Sequence, residues 1–376
     1  MKILYIAGRW DPRTQTEYSG NDFGAYQTLL KEPGVELTLT GPFDFSPNRI
    51  ERGLAKLYRK RTGKRLFKYP LAYPRQCARE IANCLEETKP DLVFSRYSAA
   101  LAKLKLNAPL VYMCDSIVPF TRELAAEFSK PAYRLMEKWE RSVIEQAQRV
   151  ITYSQANAEL IVSAYGKPAE KVTVFPIPAF VPARLRPDLA NDPKDLNAPL
   201  RLLFVGKRAH LRGVDRAIET VRQLNAEGIG ADLRIVGMNG TDEEHIQYMG
   251  VFDKESPGGE EGYFANFRWA QLLLHPARFH AAGIVISEAA AFGLPTLTNA
   301  VGGLATSVLH GQTGLVLPAG SPAAAYADAI KALMQEPERY QELRANARRR
   351  FDAELDWEKA GERLVGIVRA AAGEEK

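Results

Sequence analysis

Short apolar runs recur along the chain, each followed by a longer stretch with helical spacing. This alternation is typical of parallel sheets whose crossover connections are helices. The predicted strands form two series. The first series comprises Lys2 to Ala7, Val35 to Thr40, Asp91 to Phe94, Leu110 to Met113, Arg149 to Tyr153 and Lys171 to Phe175, and the second comprises Arg201 to Val205, Asp232 to Val236, Gln271 to Leu274, Thr296 to Asn299 and Gly314 to Leu317. We therefore predict an α/β protein with two doubly wound sheets.

A proline-rich segment separates the two series. It contains Pro182, Pro187, Pro193 and Pro199 and has little periodicity, so we predict an interdomain linker at residues 183–199. A chain of 376 residues exceeds what one core usually serves, which agrees with two domains. The predicted divisions are residues 1–182, a Rossmann-like N-terminal domain; 200–352, a Rossmann-like C-terminal domain; and 353–376, a C-terminal helix.

Composition excludes several classes of protein. With 46% hydrophobic and 25% charged residues, the chain is ordinary for a globular protein. The first apolar run soon meets Arg9 and Asp11, so we expect no signal peptide, and no stretch is long enough to cross a bilayer. The three cysteines, Cys77, Cys84 and Cys114, have no metal-ligand spacing, which suits a reducing compartment. We expect a cytoplasmic protein.

The strongest functional signal lies between residues 274 and 295. A short strand ends at Pro276, and Gly283 then begins an Ala-rich helix that ends at Gly293. The free N–H groups of the first turn, around Gly283, Ile284 and Val285, favour an anion because the helix dipole is positive there.

Glu288 lies five residues beyond Gly283, about one and a half turns into this helix. Its carboxylate could hold hydroxyls of the same molecule whose phosphate sits at the helix start. The pair of features therefore predicts a nucleotide site.

A second candidate site follows the first strand of the C-terminal series. Gly206 ends the strand, Lys207 and Arg212 lie five residues apart, and a helix begins beyond Gly213. Parallel-sheet proteins bind ligands outside the carboxyl ends of their strands. The two cations would suit a diphosphate.

In this order, these segments resemble the retaining glycosyltransferases of family 4. The resemblance implies the GT-B fold, in which two Rossmann-like domains face a central cleft and a C-terminal helix crosses back toward the N-terminal domain. The N-terminal domain would lie on the acceptor side and the C-terminal domain on the nucleotide-sugar donor side.

The resemblance implies roles for individual residues. Glu288 matches the second of two family glutamates, which binds the nucleotide ribose, while His280 occupies the first position, beside the donor sugar. The family usually has Gly-Arg and then Lys-Gly after its first C-terminal strand, and here Lys207 and Arg212 carry the same charges exchanged.

Other residues match the donor site of the family. The segment that ends at Gly237 resembles the family's strand and glycine turn beside the base, and Gly302-Gly303 would allow close approach to the donor. Gly20, in Tyr18-Ser19-Gly20-Asn21, resembles the N-terminal loop near the donor phosphates. Asp115, in Cys114-Asp115, stands where many members have His-Asp.

The resemblance implies transfer of a sugar, with retention, from a nucleotide-diphosphate sugar to a glycan, a lipid-linked glycan or a small molecule. No Asp-X-Asp motif is present, so we expect no metal and no other cofactor. Lys207, Arg212 and the Gly283 helix would neutralise the departing diphosphate, and the predicted catalytic residues are Lys207, Arg212 and His280.

Two alternatives remain open within this resemblance. One is a nucleotide-sugar epimerase or hydrolase. The other is a non-catalytic nucleotide-sugar-binding protein, which the changes at His280 and Cys114 would allow. This chain is unlike a Rossmann dehydrogenase, because no Gly-X-Gly-X-X-Gly motif follows its first strand.

His280 also predicts a pH dependence. An imidazole with its ordinary pKa of about 6.5 is neutral or cationic across the physiological range. Activity is therefore expected to fall on the acid side through a transition that His280→Gln removes.

Residues 49–69 form a basic segment. Against a single acid, Glu51, it carries nine cations: Arg49, Arg52, Lys56, Arg59, Lys60, Arg61, Lys64, Arg65 and Lys68. Ile50, Leu54, Leu57 and Tyr58 recur at helical spacing, so its first half predicts an amphipathic helix. The helix would contact an anionic membrane or pack its apolar stripe on the core beneath a solvated face. No recognition motif indicates nucleic acid.

Overall fold

The computed structural model describes residues 1–15, 20–43, 46–121, 126–194, 196 and 199–374. The chain divides into two compact units. Unit 1 comprises Met1–Phe175 and Gly361–Lys376, and unit 2 comprises Pro176–Ala360. The described part of residues 183–199, the predicted linker, falls within unit 2.

In unit 1 the described residues form a six-stranded parallel sheet with the order β2-β1-β3-β4-β5-β6. Its strands are β1 Lys2–Ile6, β2 Glu36–Thr40, β3 Leu92–Ser95, β4 Leu110–Cys114, β5 Arg149–Thr152 and β6 Val172–Val174. The helices are α1 Asn21–Lys31, α2 Arg49–Thr62, α3 Tyr73–Thr88, α4 Ser98–Leu101, α5 Lys130–Gln146 and α6 Gln155–Tyr165. Every residue of β3 and β4 is buried, as expected where helices cover both faces of a parallel sheet.

The described residues of unit 2 also form a six-stranded parallel sheet, ordered β12-β11-β10-β7-β8-β9. Its strands are β7 Leu200–Val205, β8 Ala231–Val236, β9 Ile246–Gly250, β10 Leu272–His275, β11 Thr296–Asn299 and β12 Gly314–Leu317. The helices are α7 Ala209–Arg212, α8 Val214–Ala226, α9 Gly259–Trp269, α10 Ile284–Ala291, α11 Leu304–Ser307, α12 Ala323–Met334 and α13 Pro337–Arg350. The last helix, α14 Trp357–Ala371, begins in unit 2 and continues into unit 1.

The α/β class and the two parallel sheets confirm the predicted fold class. Two details differ from the sequence prediction. The edge strand β9 was not predicted, because only Ile246 in it is buried and the apolar alternation is weak. Strand β10 extends to His275, which is fully buried and pairs in register with Thr298. Within the described ranges, no helix has both the length and the hydropathy needed to cross a bilayer.

The core of unit 2 fixes the position of α10. All residues from Val285 to Ala291 are buried, and most of them belong to a cluster that includes Phe264, Phe267 and Phe292. Ala289 and Ala290 belong to the same buried cluster as these aromatic rings. Because the helix is surrounded, its first turn and Glu288 are held in place by packing rather than by solvent-exposed contacts.

Candidate functional site

Two loops of unit 2 meet beyond the carboxyl ends of β7 and β10. Gly213, with φ +77°, lies so close to Pro276 that a Cβ would stand 2.0 Å from the Pro276 carbonyl oxygen. The Arg278 backbone N–H donates to the Leu211 carbonyl at 2.9 Å. The structure thus brings together the two segments that the sequence predicted separately.

Arg212 links these two loops directly. Its Nη1 donates to the Phe279 carbonyl oxygen at 2.5 Å. Burial, with a smaller effect of the neighbouring Arg208, lowers the pKa of Arg212 to about 10, so it stays cationic at neutral pH. Gly206 is required beside it, since a Cβ there would lie 2.9 Å from Arg212 Cγ. Lys207, on the same loop, is exposed.

Gly237 supports this loop from the neighbouring strand. It has φ +97°, and a Cβ at this position would lie 2.8 Å from the Gly206 carbonyl oxygen. Gly237 thus allows the two strand ends to approach each other, and its place beside a nucleotide base stays a prediction.

Helix α10 begins at Gly283, which has φ +79°. A Cβ there would lie 2.9 Å from Leu304 Cδ2, so both conformation and space favour glycine. The Ile286 N–H donates to the Gly283 carbonyl at 2.9 Å. The N–H groups of the first turn, including those of Ile284 and Val285, have no acceptor one turn earlier and can bind an anion.

Glu288 is buried, with 7% of its side chain exposed, and both carboxylate oxygens are hydrogen-bonded. Lys254 Nζ lies 2.7 Å from Oε1, and the Tyr263 hydroxyl donates to Oε2 at 2.7 Å. Burial and the neighbouring carboxylate hold the pKa of Tyr263 well above its ordinary value, so its hydroxyl remains a donor. Two carboxylate oxygens have about four lone-pair positions, so acceptor capacity remains for ligand hydroxyls.

Lys254 and Tyr263 were not predicted as partners of Glu288. Lys254 follows the edge strand β9, and Tyr263 lies on α9. The Lys254 ammonium also lies 3.9 Å from the centroid of the Tyr263 ring, so the three side chains form one cluster. Their contact is long-range, and no local spacing predicts it.

His280 is half-buried and paired with His275. The Nδ1 atom of His280 lies 2.8 Å from Nε2 of His275, which is fully buried at the end of β10. The His275 Nδ1 atom has no hydrogen-bond partner among the described residues. The sequence shows that the polar residue His275 follows an apolar run, but it does not predict the pairing of His275 with His280 across the turn.

The pairing constrains the tautomer of each ring. If His280 donated from Nδ1, the proton of His275 would sit on its own Nδ1 as a buried donor without a partner, which is rare in proteins. We therefore assign the proton to Nε2 of His275, which donates to His280 Nδ1. Neutral His280 then carries its own proton on Nε2.

The expected acid-side transition of His280 needs correction. Burial, then His275 and Arg212, hold the pKa of His280 well below its ordinary value. Burial and Arg212 lower the pKa of His275 to about 3. Both rings are neutral across the physiological range, so any transition due to His280 lies at lower pH than an ordinary imidazole predicts.

Gly302-Gly303 holds the backbone of His280. The Gly303 N–H donates to the His280 carbonyl oxygen at 3.0 Å, and a Cβ on Gly302 would lie 2.0 Å from the same oxygen. These glycines thus approach the backbone of His280 within unit 2, and their approach to the donor stays a prediction.

Two predicted donor-binding residues belong to unit 1. Gly20 has φ +75° and caps α1. Asp115 accepts a hydrogen bond from Arg96 Nη2 at 2.9 Å, and the adjacent Cys114 is buried, which raises the pKa of its thiol. Tyr18 and Ser19 lie outside the described residues. The described side chains include no group of three His, Cys, Asp or Glu placed to hold a metal ion.

Helix α2 forms within the basic segment as predicted. It begins with a capping box in which Glu51 N–H donates to Asn48 Oδ1 and Asn48 N–H donates to the Glu51 carboxylate. Ile50, Leu54 and Leu57 are 75%, 54% and 50% exposed. The core-packing interpretation is therefore wrong for these three residues of the stripe, while the fourth, Tyr58, is half-buried.

Comparison with known proteins identifies the family of the chain. Residues 28–178 match the family described as Glycosyltransferase Family 4, and residues 190–350 match Glycosyl transferases group 1. The D-inositol 3-phosphate glycosyltransferase of Pseudarthrobacter chlorophenolicus is 29% identical over 270 residues, or 66% of this chain and 63% of that protein. The match thus spans less than two thirds of this relative.

Solved structures share the fold over nearly the whole chain. Sucrose-phosphate synthase from Thermosynechococcus elongatus superposes with a TM-score of 0.71 and 18% identity, covering 100% of both chains. Anabaena HepE, solved with UDP-glucose, gives 0.63 and 17%, covering 98% of this chain and 100% of its own. With both sheets of GT-B type and a family match on each half, this chain belongs to the glycosyltransferases of group 1 and family 4.

Proposed function

We propose that this protein transfers a sugar from a nucleotide-diphosphate sugar to a glycan, lipid-linked or small-molecule acceptor, with retention and without a metal. One observation carries the proposal. The hydrogen bond between Arg212 and the Phe279 carbonyl fixes a cation on the loop that leads into the Gly283 helix start. Glu288 lies one and a half turns further along that helix. These are the groups that a diphosphate and a ribose require.

The chemistry assigned to each residue follows from its surroundings. The first-turn N–H groups and Arg212 would bind the diphosphate. The solvent-exposed ammonium of Lys207 would add positive charge as the bond to the sugar breaks. Glu288, oriented by Lys254 and Tyr263, would accept hydrogen bonds from ribose hydroxyls. His280 would donate from Nε2 to a sugar hydroxyl. The solved Anabaena neighbour with UDP-glucose supports the donor class.

A binding experiment tests the donor assignment. A thermal-shift panel first selects the nucleoside diphosphate that stabilises the protein, since a ligand of the folded state raises apparent stability. Calorimetry then compares this ligand and its 2′-deoxy analogue. Wild type should prefer the ribose form, and Glu288→Gln should weaken its binding by about 1.5–3 kcal/mol and abolish the preference.

The matched control is Glu244→Gln. Glu244 is 92% exposed in the same unit, so its loss should leave both affinities unchanged. An unchanged ribose preference in Glu288→Gln would refute the assignment of Glu288.

Turnover separates transfer from the other activities of such a site. We expect nucleoside diphosphate release to depend on an acceptor, to persist in EDTA, and to give a product with the anomeric configuration of the donor. Free sugar or epimerised donor without acceptor would instead indicate a hydrolase or an epimerase. Donor affinity with no turnover for any acceptor would indicate a binding protein.

We also propose that α2 contacts an anionic membrane. The carrying observation is the exposed stripe of Ile50, Leu54 and Leu57 on a helix otherwise rich in cations. Apolar side chains that enter the interface, flanked by Lys and Arg, are the features of surface-bound helices. Charge complementarity favours anionic lipid over neutral lipid.

Vesicle sedimentation tests this contact. Leu54→Ser with Leu57→Ser should lower binding to vesicles that contain phosphatidylglycerol. Leu30→Ser, at a 45% exposed leucine of α1, should not. Equal effects of the two changes, or no binding by wild type at low salt, would contradict the proposal.

A further inference from the structure

A cavity of about 710 Å³ in unit 1 is lined by an unusual set of cations. They come from the loop after β1, from α2 and from the segment that follows α2: Arg9, Lys56, Arg59, Lys60, Arg65 and Lys68. No aspartate or glutamate is among the described lining residues. Its volume is within the range of about 300–1,000 Å³ typical of small-molecule sites.

Most of the positive charge that lines this cavity lacks an ion-pair partner in the part of the chain that the structure describes. Across the described ranges, no ion pair involves Lys56, Arg59, Lys60, Arg65 or Lys68. Like charges gathered around one concave surface repel one another and create a strong positive potential. A polyanionic ligand would relieve this repulsion.

Two acids near this segment, Glu51 and Glu140, are engaged by other groups of the protein. Glu51 accepts hydrogen bonds from the N–H groups of Asn48 and Leu71 at 3.0 and 2.9 Å, so its carboxylate serves the start of α2. Glu140 is buried and accepts from the Val118 N–H and the Tyr165 hydroxyl. Burial raises the pKa of Glu140 to about 7, although its two hydrogen bonds and, as a smaller effect, the charge of Lys68 oppose the rise, so Glu140 is only partly charged at neutral pH.

The position of the cavity suits a substrate. Arg9 lies three residues beyond the last residue of β1, at the edge of the sheet where parallel-sheet proteins bind ligands. The exposed apolar residues Ile50, Leu54 and Leu57 do not line the cavity, so α2 presents one side to the cavity and another to solvent.

We propose that this cavity binds a phosphate-bearing group of the acceptor. That the phosphate belongs to an acceptor rests on the proposed transferase function, whereas the anion site itself depends only on the cavity. Arg59 and Arg65 can each bind phosphate through two parallel N–H donors, and the lysines add point charge. The phosphate belongs to a soluble phosphate ester or to a lipid-linked acceptor, which share this chemistry.

Calorimetry with tripolyphosphate tests the site. The cavity pair Arg59→Gln with Arg65→Gln is compared with Arg61→Gln and Lys64→Gln, which remove the same charge from the same segment but do not line the cavity. Wild type should bind saturably. The cavity pair should weaken binding at least about tenfold, as expected for lost charge-assisted hydrogen bonds, and the control pair less than about threefold.

Equal weakening in the two pairs, or no saturable binding by wild type, would overturn the proposal. Because unit 2 also offers cations, the titration is repeated with Arg212→Met. The tripolyphosphate site should persist in this variant, and its loss there would place the anion in unit 2 and overturn the cavity site.

Two further arms identify the source of the phosphate. Both arms use the Leu54→Ser, Leu57→Ser variant, in which the contact of α2 with vesicles is weakened. If the phosphate is a lipid headgroup, vesicles with phosphatidylglycerol, but not vesicles of phosphatidylcholine alone, should displace tripolyphosphate from this variant. If it is a soluble ester, both kinds of vesicle should leave its titration unchanged. Either result supports the site and assigns its ligand.

The nucleoside diphosphate titration separates this inference from the proposed function. The cavity pair should bind the nucleoside diphosphate as wild type does. Tripolyphosphate binding without any nucleotide binding would refute the proposed function alone. Nucleotide binding without a tripolyphosphate site would refute the cavity alone.

Discussion

The loops of unit 2 and the basic segment of unit 1 both concentrate positive charge, but in opposite ways. In unit 2, Arg212 is half-buried, hydrogen-bonded to Phe279 and wedged against Gly206. In unit 1 the cations of α2 are exposed and form no ion pairs within the described residues. The first arrangement depends on geometry, whereas the α2 cations outside the cavity, such as Arg61, act through summed charge. Single substitutions should therefore have large local effects in unit 2 and small, salt-dependent effects at the α2 cations outside the cavity.

The largest contrast is expected between two glycines with similar backbones. Gly213 and Gly63 have φ of +77° and +70°, but a Cβ on Gly213 meets Pro276 and a Cβ on Gly63 meets nothing within 4 Å. Gly213→Ala should cost at least about 4 kcal/mol of stability, since backbone must move. Gly63→Ala should cost about 1 kcal/mol. Thermal unfolding of the two variants measures the difference. Similar losses of stability would show that the backbone at Pro276 can move at little energetic cost.

The second-largest contrast is expected between the losses of kcat on replacing Arg212 and on replacing Lys207. Arg212→Met should reduce kcat by about 10²–10³-fold, because a fixed, partly desolvated donor stabilises developing charge most strongly. Lys207→Met should reduce kcat by about tenfold, since an exposed ammonium is better screened. Steady-state kinetics, with unfolding temperatures as a check on folding, decides between them. A larger loss for Lys207→Met would reverse the roles assigned here.

The histidine pair predicts a specific pH dependence of stability. The pKa of His275 is about 3 in the folded state and about 6.5 when unfolded, so the unfolded chain binds the extra proton as pH falls. Stability attributable to His275 is therefore complete above about pH 6.5 and is lost below it, at up to about 1.4 kcal/mol per pH unit.

His275→Gln should flatten this acid slope relative to wild type. Denaturant unfolding of both proteins between pH 7 and pH 5 measures it, and comparing the two cancels the contribution of other titrating groups. Parallel slopes would mean that His275 is not held neutral by burial.

The smallest effect is expected from single charges of the basic segment. Each basic residue near an anionic surface contributes about 1 kcal/mol, so Arg61→Gln should lower vesicle affinity about fivefold. Raising the salt concentration should shrink the difference, because exposed charges are screened within about 10 Å at 0.1 M. Sedimentation at two salt concentrations checks this. A salt-independent loss would indicate a specific pocket rather than a summed field.

The sequence predicted most of the fold because buried parallel strands appear as apolar runs. Strands β11 and β12 match their predicted bounds, since apolar residues end where turn residues begin. The edge strand β9 was missed because it pairs only with β8 and buries one side chain. For α2, helical spacing predicted the helix but not the surroundings of its apolar stripe, which depend on tertiary packing.

The candidate site also has features that the sequence predicts and features that it does not. Gly283 and Glu288 were predictable because helix starts and residue spacing are local properties. The contacts of Glu288 with Lys254 and Tyr263 join residues 34 and 25 positions apart, and the link from Arg212 to Phe279 spans 67 positions. Such contacts arise from the order of strands in the sheet, which no local pattern encodes. The neutral state of His280 likewise follows from burial beside His275.

The central claim is that one nucleoside diphosphate binds unit 2 through Glu288 and the Arg212 loop. A crystal structure with the nucleoside diphosphate selected by thermal shift tests it most directly. We predict ribose hydroxyls within about 3 Å of the Glu288 carboxylate and the diphosphate at the N–H groups of the α10 first turn, beside Arg212. A ligand bound elsewhere, with Glu288 still held only by Lys254 and Tyr263, would contradict the account.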